Sequence, residues 1–161
     1  MKLYRITKAC YLENYSGLGA SFQSGARWNQ KGHPVLYFAT SPSVALLEMA
    51  NYLPSPRFIP KDYRLGIYQL AENTAITTVS TADLPEHWAD YPYPNTTQHI
   101  GSVWLKNATS LALSVPSAAV PGGLENIVMI NCKLLCQDKP QLKLIDATAD
   151  LYNKRMFSAL K

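Results

Sequence analysis

Apolar and polar positions alternate along this chain in short runs that glycine and proline break often. Residues 3–7 alternate with period two, as a half-buried strand does. Residues 35–39, Val-Leu-Tyr-Phe-Ala, are apolar enough for an interior strand, with Val35, Tyr37 and Ala39 on one face and Leu36 and Phe38 on the other. Residues 64–70 alternate again, 75–79 more weakly, and 111–117, 127–130 and 142–145 complete the predicted strands. Ser41-Pro42 opens a helix: Ser41 suits the N-cap and Pro42 the first helical position. Val44, Leu47 and Ala50 or Asn51 follow at helical spacing, and Pro54 and Pro56 stop it. A short helix is expected over 83–88 with Asp83 as cap, and a longer one capped by Thr96 or Thr97 running through Ile100, Val103, Trp104 and Leu105. The tail 149–161 also reads as helical, with Arg155 and Lys161 near its end.

Between these elements, 12–24 reads as a loop and Gly25-Ala26-Arg27-Trp28 as a short strand or the edge of one. Residues 30–33 form a turn in which Gly32 is free to take positive φ; 90–94 and 121–123 are further turns or loops. No internal repeat, low-complexity tract or linker divides the chain. The pattern predicts one α+β domain over 1–161, with a mostly antiparallel, non-sequential sheet and helices between strands.

Composition narrows the class. The chain has 161 residues, 47% apolar and 16% charged, which suits one globular domain rather than a disordered polymer. A net charge of +4 spread over scattered lysines and arginines argues against nucleic acid, whose binders cluster their cations. No apolar run approaches the roughly 18 residues of a membrane span. Met1-Lys2-Leu3-Tyr4-Arg5 lacks the apolar core of a signal peptide, and the three cysteines are odd in number. Both point to a reducing, cytoplasmic setting. Cys132 and Cys136 have no partner pair at metal-ligand spacing, so no metal is expected.

Chemistry concentrates between Gly17 and Glu48. Arg27 sits in a glycine-rich stretch, Tyr37 in the strand and Glu48 on the helix that follows. Consecutive elements tend to be neighbours, so a guanidinium, a ring face and a carboxylate would share a cleft. That set suits a ligand with phosphate, sugar and a flat ring, such as NAD. Each residue also has a plain structural reading: Arg27 as a surface cation, Tyr37 as a core tyrosine, Glu48 as a solvent-facing acid, Ser117 as a cap. Arg5, in what reads as an edge strand, leans to a structural role. Ser117 has no Gly-x-Ser-x-Gly elbow, and His33, His87 and His99 lie in unrelated contexts, so no serine triad can be assembled. Gly17-Leu18-Gly19 lacks the third glycine of a dinucleotide fingerprint, and there is no P-loop.

Several motifs occur in one order: Tyr4-Arg5, Gly17-x-Gly19, Gly25-Ala26-Arg27-Trp28-Asn29, Gly32, Pro34-Val35-Leu36-Tyr37, Ala45-Leu46-Leu47-Glu48, Trp104-Leu105, Val115-Pro116-Ser117 and the run 126–131. Together they resemble the RES domain family, the toxins of Xre–RES bacterial toxin–antitoxin pairs. After Asn131 the chain departs from the family pattern: Cys132-Lys133-Leu134-Leu135 stands where members tend to have Pro and a nearby His. The resemblance implies a fold related to ADP-ribosyltransferases and consumption of NAD as substrate, with no prosthetic group. It assigns Arg27, Tyr37, Glu48 and Ser117 to the site. Arg27, Tyr37 and Ser117 would bind the dinucleotide, Arg27 at its pyrophosphate, Tyr37 at a ring and Ser117 at amide or ribose. The acceptor stays open between water, phosphate and a protein side chain. So does a non-catalytic module of the same fold. The implied partner is an Xre-type helix-turn-helix antitoxin that covers the site. Tyr11, Tyr15, Phe22, Tyr91 and Tyr93 are candidate contacts for it near the cleft mouth.

Overall fold

The structure is a computed structural model and describes residues 1–53, 55, 58–136 and 138–153. Its elements run β1 (Lys2–Lys8), α1 (Ala20–Ser24), β2 (Val35–Ala39), α2 (Pro42–Ala50), β3 (Tyr63–Leu70), β4 (Ile76–Thr78), α3 (Asn95–Asn107), β5 (Ala112–Pro116), β6 (Asn126–Asn131) and β7 (Leu142–Thr148). The strands form one seven-stranded sheet in the order β4-β5-β6-β2-β1-β3-β7. Among the described residues only β4 and β5 run parallel; the other pairs are antiparallel. The mixed, non-sequential α+β architecture is the one the pattern predicts. β2 sits between β6 and β1, which explains its nearly continuous apolar sequence.

The sheet has two apolar faces, and strand alternation sorts residues between them. Val35 and Ala39, with Tyr37 beside them, join Trp28, Val44, Ala45, Trp104, Leu105, Leu113, Val115 and Met129 on the face that α2 and α3 cover. Leu36 and Phe38 join Leu3, Tyr68, Leu70, Val128 and Ile130 on the other, where Tyr15, Leu134 and Leu135 pack. Arg5 belongs to this second face. Burial lowers its guanidinium from the ordinary value, and the Tyr68 hydroxyl, Cys132 and Tyr15 oppose that. β1 is not an edge strand, since β2 and β3 flank it.

Several local expectations are corrected. Residues 12–24 include α1, which starts after Gly19 without a side-chain cap. Residues 26–29 are a tight turn closed by a bridge between Ala26 and Asn29, not a strand. Asp83 caps nothing: a single turn spans Thr81–Asp83 and Ser80 caps it, its Oγ accepting from Ala82 N at 3.2 Å. α3 begins at Asn95 after Pro94, and the Thr97 hydroxyl donates back to Pro94 O at 2.9 Å instead of capping. On α2 the buried positions are Val44, Ala45 and Met49, while Leu47 and Ala50 are exposed. The helix is short and apolar nearly all round, so its sequence left the inward stripe open. Residues 149–153 are not helical. The rest of the expected tail helix, like Pro54 and Pro56, lies outside the described residues. Among the described residues no helix is long and apolar enough to cross a membrane.

Candidate active site

Arg27 rides on a turn moulded against α3. Gly25 enters it at φ +78, a conformation that favours glycine. Gln98 Nε2 donates to Ala26 O at 3.0 Å, and the Ser102 hydroxyl accepts from Gln30 N at 2.9 Å. Gly101 permits the close approach: a Cβ there would stand 1.8 Å from Trp28 O. Trp28 is buried against Trp88, ring centroids 6.0 Å apart. The adjacent Arg27 Nη1 donates to Trp88 O at 2.7 Å and to Asp90 O at 2.9 Å. Its Cζ lies 5.1 Å from the centroid of the Tyr93 ring. Among the described residues no carboxylate lies within 4.0 Å of this guanidinium. Burial lowers it from its ordinary value, and Tyr93, Glu48, Tyr52 and Asp90 pull it back. Among the described residues both hydrogen bonds use Nη1, which leaves Nη2 and Nε to meet an anion.

Tyr37 faces α2 and α3 from the middle of β2. Its hydroxyl donates to Asn29 Oδ1 at 2.6 Å, and Asn29 is itself buried, its Nδ2 bonded to Ser21 O and Gln30 O at 2.8 Å each. Burial pushes the Tyr37 phenol well above its ordinary value, so it stays a neutral donor. With its proton given to Asn29, the Tyr37 hydroxyl has none to donate to a ligand, and the ring is what Tyr37 offers.

Glu48 follows from how α2 starts. Ser41 Oγ accepts from Val44 N at 3.2 Å and Pro42 stands at the first helical position, which fixes the helix phase. Val44 and Ala45 are buried one turn before Glu48, so Glu48 continues their stripe rather than facing solvent. Its Oε1 accepts from the Ser117 hydroxyl at 2.5 Å. Ser117 lies just beyond β5, has no exposed surface, and its Oγ in turn accepts from Ala119 N at 3.2 Å. A buried donor held in this way fixes the carboxylate's orientation. Ser117 therefore meets Glu48, a contact the sequence reading did not foresee.

The four expected residues thus converge on one side of the sheet. Arg5 does not join them. Tyr15 does not reach the cleft either: it packs edge-on against Tyr68 at 6.5 Å, and its hydroxyl accepts from Leu144 N on the opposite face. The sequence reading missed Asn29 as the anchor of Tyr37, the carbonyls of Trp88 and Asp90 as acceptors for Arg27, and Tyr52. Tyr52 follows Glu48 by four residues, one helical turn, and that spacing could have flagged it.

With this geometry in view, the chain can be set beside known proteins. Residues 2–147 match the RES domain. "Toxin Res" of Yersinia enterocolitica is 37% identical over 133 residues, 81% of this chain and 84% of that protein. "Prs ADP-ribosylating toxin" of a Sphingobium species is 33% identical over 110 residues, 68% of each. A chain from the crystal structure of the M. tuberculosis MbcT–MbcA toxin–antitoxin complex matches with TM-score 0.69 and 19% identity, over 91% of this chain and 82% of that one, a likeness of fold. The chain belongs to the RES domain family.

Proposed function

We propose that this protein is the toxin of a bacterial toxin–antitoxin pair and that it consumes NAD by cleaving the nicotinamide–ribose bond. That it is a RES-type toxin rests on the match over 2–147 and on the relatives named Toxin Res. The observation that carries the chemistry is the Ser117-to-Glu48 hydrogen bond at 2.5 Å, with Glu48 in electrostatic reach of Tyr37 and Arg27.

In the proposed step the bond between ribose C1′ and the nicotinamide nitrogen breaks. Its electron pair goes to the ring nitrogen and cancels the pyridinium charge, so nicotinamide leaves neutral and needs no acid. The ribose becomes a cation of oxocarbenium type, as in glycoside cleavage. Glu48, held by Ser117, places negative charge beside that cation without reorganising. Tyr37 gives a ring face for the nicotinamide, and Arg27 gives Nη2 and Nε to the diphosphate. An acceptor oxygen then bonds C1′ and releases its proton to solvent. Water makes the reaction a glycohydrolase and phosphate a phosphorylase. Transfer to a protein side chain is the second reading, and the likeness to an ADP-ribosylating toxin favours it.

Labelled NAD incubated with purified protein, with and without phosphate and lysate, tests all three. Free ADP-ribose supports hydrolysis, ADP-ribose 1-phosphate supports phosphorolysis, and label on a protein band supports transfer. Normal growth and normal cellular NAD at good soluble yield, in cells lacking the partner, would refute catalysis and leave a non-catalytic binding module. The proposed partner is an Xre-type antitoxin whose chain end reaches Arg27. Trimming the antitoxin's last residues should release NAD loss; tight binding with full protection after trimming would place inhibition elsewhere.

A further inference from the structure

Asn29 has no exposed surface, yet its side chain ties three parts of the candidate site together. Nδ2 donates to Ser21 O, in α1, and to Gln30 O, at 2.8 Å each. Two carbonyls on one side fix the amide nitrogen there, so Oδ1 faces β2. It accepts from the Tyr37 hydroxyl at 2.6 Å. Both N–H groups and the oxygen thus have partners, as a buried amide requires. The main chain of Asn29 closes the turn that carries Arg27: Asn29 O accepts from Ala26 N at 2.8 Å, and Asn29 N donates to Ala26 O at 3.3 Å.

Arg27 lies inside that turn, between Ala26 and Asn29, and Tyr37 lies in the middle of β2. The Asn29 amide joins the two. From the other side α3 holds the turn, through Gln98 Nε2 on Ala26 O and the Ser102 hydroxyl on Gln30 N. Those bonds act at residues 26 and 30 and engage neither Tyr37 nor β2. We propose that Asn29 is a positioning residue that makes Arg27 and Tyr37 one unit, so that the Tyr37 hydroxyl sets how Arg27 meets the diphosphate. This rests on the NAD reading above. It accounts for a tyrosine at position 37 where a phenylalanine ring alone would face the nicotinamide: a phenol oxygen buried without a partner is a net cost, and here its partner is the turn of the diphosphate-binding residue. The consequence is that a change at the nicotinamide end is felt at the phosphate end.

ADP is the probe, because it carries a diphosphate for Arg27 and lacks the nicotinamide riboside that Tyr37 faces. Tyr37→Phe keeps the ring and removes only the oxygen; Asn29→Ala removes the amide. Each should weaken ADP about three- to tenfold, the size of one lost neutral hydrogen bond. The double variant should be no weaker than the worse single one, because both changes break one link. Where the wild type binds ADP, unchanged affinity in Tyr37→Phe overturns the inference. So do losses that multiply in the double variant, because a merely structural asparagine, with the turn held by α3 alone, gives independent effects. Hydrogen exchange across residues 25–30 adds a readout that needs no ligand. In Tyr37→Phe the Ala26 and Asn29 amides should exchange about threefold faster or more, with α3 unchanged; unchanged exchange at both amides also overturns the inference. If Asn29→Ala does not fold, Tyr37→Phe carries both measurements by itself. If the wild type does not bind ADP but exchange in the turn rises, the dinucleotide reading falls and the positioning role stands. If ADP binds and Tyr37→Phe changes neither affinity nor exchange, the reverse follows.

Discussion

Replacing Ser117 by alanine separates two jobs that this residue could do. Ser117 Oγ donates to Glu48 Oε1 at 2.5 Å and accepts from Ala119 N at 3.2 Å, with no surface of its own exposed. The substitution removes one atom and both bonds. A hydrogen bond to a charged acceptor is worth about 1.5–3 kcal/mol. At about 1.4 kcal/mol per decade, that corresponds to roughly 10–150-fold. If the bond orients Glu48 for the ribose cation, the loss appears in kcat and KM for NAD stays nearly constant. The Ala119 N–H also loses its acceptor, which costs about 1 kcal/mol of stability, or roughly 2–4 °C in melting temperature for a chain of this size. Steady-state NAD consumption resolves kcat from KM, and a thermal melt confirms that the variant folds. A folded variant with kcat within about twofold of wild type refutes the orienting role, since even the weakest such bond predicts more. A raised KM at unchanged kcat would return Ser117 to direct contact with the ligand.

Glu48→Gln keeps shape and removes charge, so turnover should fall by about two orders of magnitude or more with NAD affinity nearly intact; Arg27→Ala should weaken NAD binding itself, and a calorimetric titration of both variants distinguishes the two effects. Gly101→Ala forces a Cβ against Trp28 O, at 1.8 Å before any relaxation, so α3 must shift off the Arg27 turn. The expected cost is about 1–3 kcal/mol or more, and a wild-type melting temperature with wild-type activity would contradict it. Burial raises Tyr68 from 10.0 to about 12 and Cys132 from 9.0 to about 12. The folded protein holds these protons more tightly than the unfolded chain, so their stabilisation is complete below about pH 9 and is lost as pH rises toward about 12. Urea midpoints should fall across that window, and a flat or rising profile speaks against the burial of these groups.

Much of the architecture was legible because it is local. Alternation over β1, β2 and β3 depends on period two alone, and it placed Tyr37 with Val35 and Ala39 correctly. Ser41-Pro42 marked the start of α2 because capping needs only neighbouring backbone groups. Gly32 took positive φ, +87, as its turn required. The sequence also carried the candidate site residues, but as family motifs rather than as geometry. Where local rules were weak, they failed. Pro94, not a threonine, precedes α3, and nothing in α2 alone says that Glu48 faces inward.

What only the tertiary structure decided is which groups meet. Ser117 reaches Glu48 across 69 residues, and Arg27 reaches the Trp88 carbonyl across 61. Tyr93 covers Arg27 from a loop whose sequence marks only turns and exposed rings. These pairings arise because the sheet order β4-β5-β6-β2-β1-β3-β7 brings the end of β5 beside α2, and because α3 presses the Arg27 turn toward residues 88–90. Hydrogen-bond partners at such separations are chosen by packing, since the chain between them imposes almost no preference of its own. A residue's type was therefore set by the sequence, but that Ser117 would meet Glu48 was set by the fold.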